Sequence, residues 1–178
     1  MSYIPEDTRT VLDIGFGRGE FLLTLQALGY TVSGCDIDEN LVKRGQENGL
    51  NVELGYAETV SQTYENDSFD LISCLHVLEH LDSPLAALKE FHKVAKRHIL
   101  VAVPNAYNRL PELGSHLYSF NYRTLTNLAR KAGFEPVRVT GESINILPNI
   151  IRLSPGFSRF IIGLLYGSIE IVALFRKI

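Results

Sequence analysis

The chain has 178 residues, of which 46% are hydrophobic and 21% are charged, a composition typical of a folded globular protein rather than a disordered one. The length fits one domain with a buried core, so we expect residues 1–178 to form a single domain. The formal net charge is −3, and the N-terminal residues lack the basic and apolar segments of a signal peptide, which predicts a cytoplasmic location.

Short apolar runs alternate with amphipathic stretches along the chain, a pattern that predicts parallel strands joined by helices. Residues 61–68 are too polar to be buried, so we expect the third connection to be short or irregular. Seven strands with helices between them form a doubly wound, Rossmann-like α/β sheet, whose ligand crevice lies at the carboxyl ends of the strands. The predicted strands span residues 10–14, 31–36, 51–54, 69–75, 98–103, 135–140 and 168–176, and the predicted helices span residues 20–28, 39–47, 84–96 and 122–132.

The turn from the first strand into the first helix contains Gly15, Gly17 and Gly19. Glycines let the backbone approach a ligand closely, and a helix N-terminus presents unpaired N–H groups. A dinucleotide-binding loop would have its third glycine at position 20, where this chain has Glu20. That carboxylate would repel a pyrophosphate but not a ligand with sulfonium and ammonium groups. The loop therefore favours a cationic ligand.

The second predicted strand ends in Asp36, followed two residues later by Asp38. In a doubly wound sheet this strand end lies beside the glycine loop, where an acidic side chain accepts hydrogen bonds from ribose hydroxyls. Asp36 is the stronger candidate for that role. Asp38, followed by Glu39, is typical of a helix cap and first turn.

The glycine pattern of residues 13–19, together with the acidic residue that closes the second strand, resembles the class I S-adenosylmethionine-dependent methyltransferases. Three later segments resemble the ubiquinone/menaquinone-biosynthesis-like branch of that family: residues 55–58, residues 69–81, and a region after the fifth strand marked by residues 104–105, His116 and residues 125–134. The resemblance covers roughly residues 9–140. It implies the strand order 3-2-1-4-5-7-6 with the last strand antiparallel, S-adenosylmethionine as the cofactor, and methyl transfer as the activity.

The resemblance also implies which residues bind the cofactor. The glycine loop would pass beneath the methionine portion, with Asp13 near its amino group, while Asp36 takes the ribose and Ile37 covers one adenine face. The residues after the third strand would line the other side of the adenine, and those that close the fourth strand would present backbone to the methionyl end. The implied cofactor-binding residues are Asp13, Gly15, Gly17, Gly19, Asp36, Ile37, Ala57, Glu58, Cys74 and Leu75.

His76, Glu79 and His80 follow the fourth strand and so face the crevice. Their spacing would place all three on one face of a helical turn, as an acid–base set or a divalent-metal site. The related methyltransferases carry an acidic residue at the position of His76, which speaks against a metal, so none is predicted. A histidine base for a hydroxyl acceptor would make activity rise through roughly pH 6–7.

The loop of residues 105–121 is a second source of acceptor contacts. We predict His76, His116 and Glu79 as catalytic residues, and His76, His80, Asn105 and Tyr118 as acceptor-binding residues. The acceptor itself is predicted to be a small or lipid-like molecule.

An apolar insertion at about 144–166 precedes the last strand. It has apolar residues at the spacing of one helix face, namely Phe157, Phe160, Ile161, Leu164 and Leu165. It predicts an acceptor lid, a peripheral membrane contact or a helix packed on the sheet. Residues 91–178 carry twelve Lys and Arg against four Asp and Glu, which would favour an anionic acceptor or membrane surface. The basic residues are scattered, so no nucleic-acid partner is expected.

Methyl transfer to a small-molecule acceptor, on oxygen, nitrogen or carbon, is the predicted function. Two alternatives stay open at this point. One is a non-catalytic module that binds S-adenosylmethionine or a protein partner. The other is a nicotinamide-dependent oxidoreductase, which the early third glycine disfavours.

Overall fold

The computed structural model describes residues 3–106, 116–142 and 170–178, so the predicted insertion at 144–166 lies outside the described residues. The strands are β1 (Thr10–Ile14), β2 (Thr31–Asp36), β3 (Val52–Leu54), β4 (Phe69–Leu75), β5 (Ala95–Pro104), β6 (Phe134–Glu142) and β7 (Glu170–Lys177). The helices are α1 (Glu20–Ala27), α2 (Glu39–Glu47), α3 (Pro84–Val94) and α4 (Tyr122–Lys131), with 3-10 turns at Ala57–Gln62 and Leu78–His80. None of the helices in these ranges is long and apolar enough to span a bilayer.

The strands of the described residues form one sheet in the order β3-β2-β1-β4-β5-β7-β6. Strands β1 to β5 pair in parallel, and β7 runs antiparallel to both of its neighbours. The predicted strand order and antiparallel last strand are confirmed. Because β7 runs the opposite way, its first residue, Glu170, pairs with Pro104 at the carboxyl end of β5.

Helices cover both faces of the sheet because neighbouring residues of a strand point to opposite sides. Val11 and Leu71 pack in a buried cluster with residues of α1 and α2. Leu12 and Ile72, one position later in the same strands, pack with residues of α3 and α4. This two-sided core holds the carboxyl ends of β1, β2 and β4 at a common edge.

The start of α3 agrees with the boundary predicted from the sequence, whereas its end differs from the prediction. Ser83 caps the helix by accepting a hydrogen bond from the backbone N–H of Ala86, and Pro84 is its first residue, as predicted. The helix ends at Val94 rather than residue 96, and β5 begins at Ala95 rather than 98. Ala95 is fully buried and pairs with Phe69 of β4, so the chain passes directly from helix to sheet.

Candidate active site

The glycine loop and the end of β2 are joined by direct hydrogen bonds. The N–H of Gly17 donates to Oδ2 of Asp36 at 3.0 Å, and the N–H of Asp38 donates to Oδ1 at 3.0 Å. Gly17 has a φ of 58°, a left-handed conformation that favours glycine. Two backbone donors thus orient the Asp36 carboxylate, and each of its oxygens keeps a lone pair for a ligand hydroxyl.

The two helices beside this carboxylate begin differently. Asp38 caps α2 by accepting a hydrogen bond from the N–H of Asn40 at 2.8 Å, which confirms its predicted capping role. Gly19 precedes α1 and provides no side-chain cap. The first N–H groups of α1 therefore lack a side-chain acceptor from the cap position.

Gly15 lies where the glycine loop meets the segment after β4. Its φ is 70°, and a Cβ atom built on it would lie 2.4 Å from Cγ2 of Val77. A larger residue would meet both backbone strain and a steric clash. The close packing of Gly15 on Val77 brings the two segments together at one side of the crevice.

A cavity of about 410 Å³ occupies this crevice, a size typical of small-molecule sites. Ile37 is 67% exposed although it is apolar and lines the cavity, so a bound ligand would cover it. Of the predicted cofactor residues, those that line the cavity are Gly15, Asp36, Ile37, Ala57 and Glu58, and those outside its lining are Asp13, Gly17, Gly19, Cys74 and Leu75. The oriented carboxylate and the uncovered apolar side chain fit a ligand with a ribose and an adenine ring.

Asp13 is a buried carboxyl group in β1, next to Ile14, which lines the cavity. It is 3% exposed, and the Ser73 hydroxyl donates to its Oδ1 at 2.6 Å. Burial raises the pKa of Asp13 to about 7, against the lowering effect of the Ser73 hydrogen bond and with a smaller raising effect from the charge of Asp36. Near neutral pH the group is therefore poised between its neutral and charged forms.

His76 follows β4 with a left-handed backbone, φ 58°, and its N–H donates to the carbonyl of Ala102 at 2.9 Å. Its Nδ1 lies 3.4 Å from Oε1 of Glu79, and its Nε2 lies 3.4 Å from Oε1 of Glu170. Burial lowers the pKa of His76, but the contacts with Glu170 and Glu79 outweigh it and raise the pKa to about 9. If His76 is the base, activity should therefore rise near pH 9 rather than through the expected pH 6–7.

The three residues predicted to share one helical turn are arranged differently. The 3-10 turn includes Glu79 and His80 but not His76, whose left-handed backbone precedes it. The rings of His80 and His116 are in edge contact, with centroids 4.9 Å apart. One side-chain N or O atom from each of Glu79, His80 and His116 lies within 4.8 Å of the other two, and the expectation that the site holds no metal stays a prediction.

The segment of residues 116–120 is attached to this turn through backbone hydrogen bonds. The N–H groups of Leu117 and Tyr118 donate to the carbonyl of Glu79, at 2.8 and 3.2 Å. The Tyr118 hydroxyl donates to the carbonyl of Asp82 at 3.0 Å. Asn105 is buried and forms a parallel bridge with Phe120. Of the predicted acceptor-binding residues, only His76 and His80 line the cavity.

Glu170 is a charged site residue that was not predicted from the sequence, and the cavity-lining residues Ile14, Val77 and Leu81 were not predicted either. The last strand was predicted to start at residue 168 and to run antiparallel, which would have placed its first residues at the crevice. An acidic residue among the apolar residues at that end was the available signal. Its partner, His76, is too distant in sequence for local spacing to connect them.

Comparison with known proteins identifies the class. A family model for a methyltransferase domain matches residues 1–139. The chain therefore belongs to this methyltransferase family, and S-adenosylmethionine is its methyl donor. This assignment removes the oxidoreductase and the non-catalytic module as alternatives.

Two curated relatives are named as ubiquinone biosynthesis O-methyltransferases. The protein from Thiobacillus denitrificans is 29% identical, over 84% of this chain and 74% of its own length. The protein from Ralstonia nicotianae is 27% identical, over 82% of this chain and 71% of its own length. Among solved structures, a SAM-dependent methyltransferase from Archaeoglobus fulgidus superposes with a TM-score of 0.74 at 22% identity, covering 97% of this chain and 87% of that one. This structural likeness shows the shared fold.

Proposed function

We propose that this methyltransferase transfers the methyl group of S-adenosylmethionine to a hydroxyl oxygen of an uncharged small-molecule acceptor. The observation that carries the proposal is His76, a base that lines the cavity and lies 3.4 Å from each of two carboxylates. A hydroxyl acceptor must lose its proton during methyl transfer, whereas an amine or thiolate needs no such base. The relatives from Thiobacillus denitrificans and Ralstonia nicotianae, both named as O-methyltransferases, support oxygen as the acceptor atom.

The proposed division of roles follows the two sides of the cavity. Asp36 would accept the ribose hydroxyls and Ile37 would cover the adenine, with Asp13 close to the amino group of the donor. When bound, S-adenosylmethionine supplies a methyl group already activated by a sulfonium. The protein then has to align the acceptor and accept its proton. His76 would accept the proton, and His80 and His116 would contact the acceptor.

The surroundings of the cavity favour an uncharged acceptor. Asp36 and Glu58 line it, and Glu79 and Glu170 lie against His76. These carboxylates would repel the anionic acceptor that the basic second half of the chain suggested.

The remaining proposals rest on the sequence pattern. The amphipathic spacing within residues 144–166 supports peripheral contact of the protein with a membrane that holds a lipid-like acceptor. The same insertion would belong to the single catalytic domain of residues 1–178. A cytoplasmic location is part of this proposal.

A methyl-transfer screen tests the function. The protein is incubated with S-adenosylmethionine and a panel of phenols, catechols, alcohols, amines and thiols, and products that gain a methyl mass are identified by mass spectrometry. We expect methyl ethers. Products confined to N-methyl or S-methyl compounds would contradict the proposal, and so would the absence of any methylated product while S-adenosylhomocysteine still binds.

A further inference from the structure

The ring of His76 lies between two carboxylates that come from distant parts of the chain. Oε1 of Glu79 lies 3.4 Å from Nδ1, and Oε1 of Glu170 lies 3.4 Å from Nε2. Glu79 is 1% exposed, and neither of its carboxylate oxygens has a hydrogen-bond donor among the described residues. Oε2 of Glu170 is likewise buried without a donor in the part of the chain that the structure describes.

This arrangement fits a protonated ring. A neutral imidazole donates from one nitrogen only, and its other nitrogen would turn a lone pair towards a carboxylate oxygen. An imidazolium carries an N–H on both nitrogens, so it faces each carboxylate with positive charge rather than a lone pair. Buried carboxylates are also costly unless a cation lies beside them, and the charged form of His76 supplies that cation to both.

The fold explains how Glu170 reaches this position. As the first residue of an antiparallel strand, Glu170 pairs with Pro104 and so lies at the edge where the parallel strands end. His76 leaves β4 at the same edge. Among the described residues, the acidic groups that contact His76 are Glu79 from the 3-10 turn and Glu170 from β7, and Glu79 in turn lies beside His80 and His116.

We propose that Glu170 is a positioning residue that acts through His76: together with Glu79 it holds both ring nitrogens and stabilises the imidazolium formed when His76 takes the proton of the acceptor hydroxyl. The inference rests on the proposed function. It assigns a role in the reaction to the last strand of the sheet, which carries none of the cofactor-binding residues.

The proton balance of this step is simple. The acceptor oxygen forms a bond to the methyl carbon, the bond between that carbon and the donor sulfur breaks, and the hydroxyl proton moves to a ring nitrogen of His76. A neutral ring carries a lone pair on one nitrogen, which takes the acceptor proton, and the carboxylate beside that nitrogen then stabilises the positive charge. The proton leaves His76 to solvent before the next turnover, and S-adenosylhomocysteine departs uncharged at sulfur.

Nuclear magnetic resonance of the histidine ring nitrogens tests the contact without any acceptor. The full chain, labelled with ¹⁵N-histidine and saturated with S-adenosylhomocysteine, is titrated with pH, and His76 is assigned from the variant His76→Asn. We expect its pKa near 9 in the parent and lower by about 1 or more in Glu170→Gln. Glu170→Asp, which keeps the charge on a shorter side chain, should give an intermediate value. Equal pKa values in all three proteins would overturn the proposal.

The pH dependence of methyl transfer then tests the role. With the hydroxyl acceptor of highest turnover in the screen, kcat/KM of the parent should rise through about pH 9, because the neutral ring is the reactive form. Glu170→Gln should rise at lower pH and reach a lower plateau, so the ratio of its activity to that of the parent should fall as pH increases. A purely structural defect would lower activity by the same factor at every pH, and that result would overturn the proposal.

The matched control is Glu135→Gln on the neighbouring strand. Glu135 pairs in register with Arg176, at the opposite end of β7 from Glu170. The Glu135→Gln variant should keep both the His76 titration and the pH dependence of kcat/KM as in the parent. The two possible failures are distinguishable: no methyl ether from the parent protein contradicts the proposed function, whereas an unchanged His76 titration in Glu170→Gln overturns the role of Glu170 with any acceptor.

Discussion

The two sides of the crevice are built in different ways. The side proposed to bind the methyl donor consists of the glycine loop and the end of β2, where backbone N–H groups of Gly17 and Asp38 orient the carboxylate of Asp36. The side proposed to bind the acceptor consists of side chains from distant segments, such as His76 and Glu170. A site made from one continuous strand–loop–helix unit is specified locally, whereas a side-chain cluster depends on the packing of the whole sheet.

The largest effect is expected on the acceptor side, from His76→Asn. Asparagine tolerates the left-handed backbone of this position, so the variant removes the base with little strain. We expect kcat for a hydroxyl acceptor to fall by about 10²- to 10⁴-fold, because proton removal loses its base. The affinity for S-adenosylhomocysteine, measured by calorimetry, should stay close to that of the parent.

His98→Asn is the control for this variant, because His98 lies in β5 and does not line the cavity. It should keep the activity of the parent. Full activity of His76→Asn towards a proven hydroxyl acceptor would place the base elsewhere on the acceptor side, and His116 would be the next residue to test.

On the donor side, the two glycines of the loop should differ in their tolerance of a side chain. Gly15→Ala combines a left-handed φ with a Cβ that would clash with the side chain of Val77. We therefore expect the free energy of unfolding to fall by about 2–5 kcal/mol. Gly17→Ala meets no atom within 4 Å of its Cβ and should cost only the backbone strain, about 1–2 kcal/mol. Urea unfolding of both variants measures the difference.

The steric part of that difference can be isolated with Val77→Ala. In a double-mutant cycle, Val77→Ala should recover part of the stability lost in Gly15→Ala, with a coupling of about 0.5–3 kcal/mol. Val77→Ala should not recover any of the stability lost in Gly17→Ala. Equal losses in the two glycine variants would show that the close approach of Val77 to Gly15 contributes nothing.

The same division explains how far the sequence could predict the site. The glycine loop and Asp36 were accessible from the sequence because each lies directly after an apolar strand, at a spacing that the fold requires. The strand order followed from the family resemblance. The left-handed backbone of His76 and its contact with Glu170 were not accessible, because no local spacing indicates which distant side chain an antiparallel strand brings to the crevice.

A smaller effect on the donor side is expected from Asp36→Ala. It removes the carboxylate held by two backbone donors, and the binding free energy for S-adenosylhomocysteine should weaken by about 1.5–3 kcal/mol, which is roughly 10- to 150-fold in Kd. Asp38→Ala serves as its control, because Asp38 caps α2. It should lower stability by about 1 kcal/mol and leave the Kd unchanged. If the two variants exchanged these effects, the assignment of the ribose-binding carboxylate would be wrong.

The smallest expected effect concerns Asp13, whose pKa burial raises to about 7. A raised carboxyl pKa means that its contribution to folding stability is present below its unfolded pKa of about 4 and is lost as pH rises through about 7. The cationic donor should lower this pKa, so its binding at pH 7 should release about half a proton. The binding free energy should become more favourable by about 0.4 kcal/mol when the pH is raised from 7 to well above the pKa of Asp13. Calorimetry of S-adenosylmethionine binding in buffers of different ionisation enthalpy measures the released proton. Asp13→Asn should bind without releasing it, and an equal release in that variant would mean that another group on the donor side carries the proton.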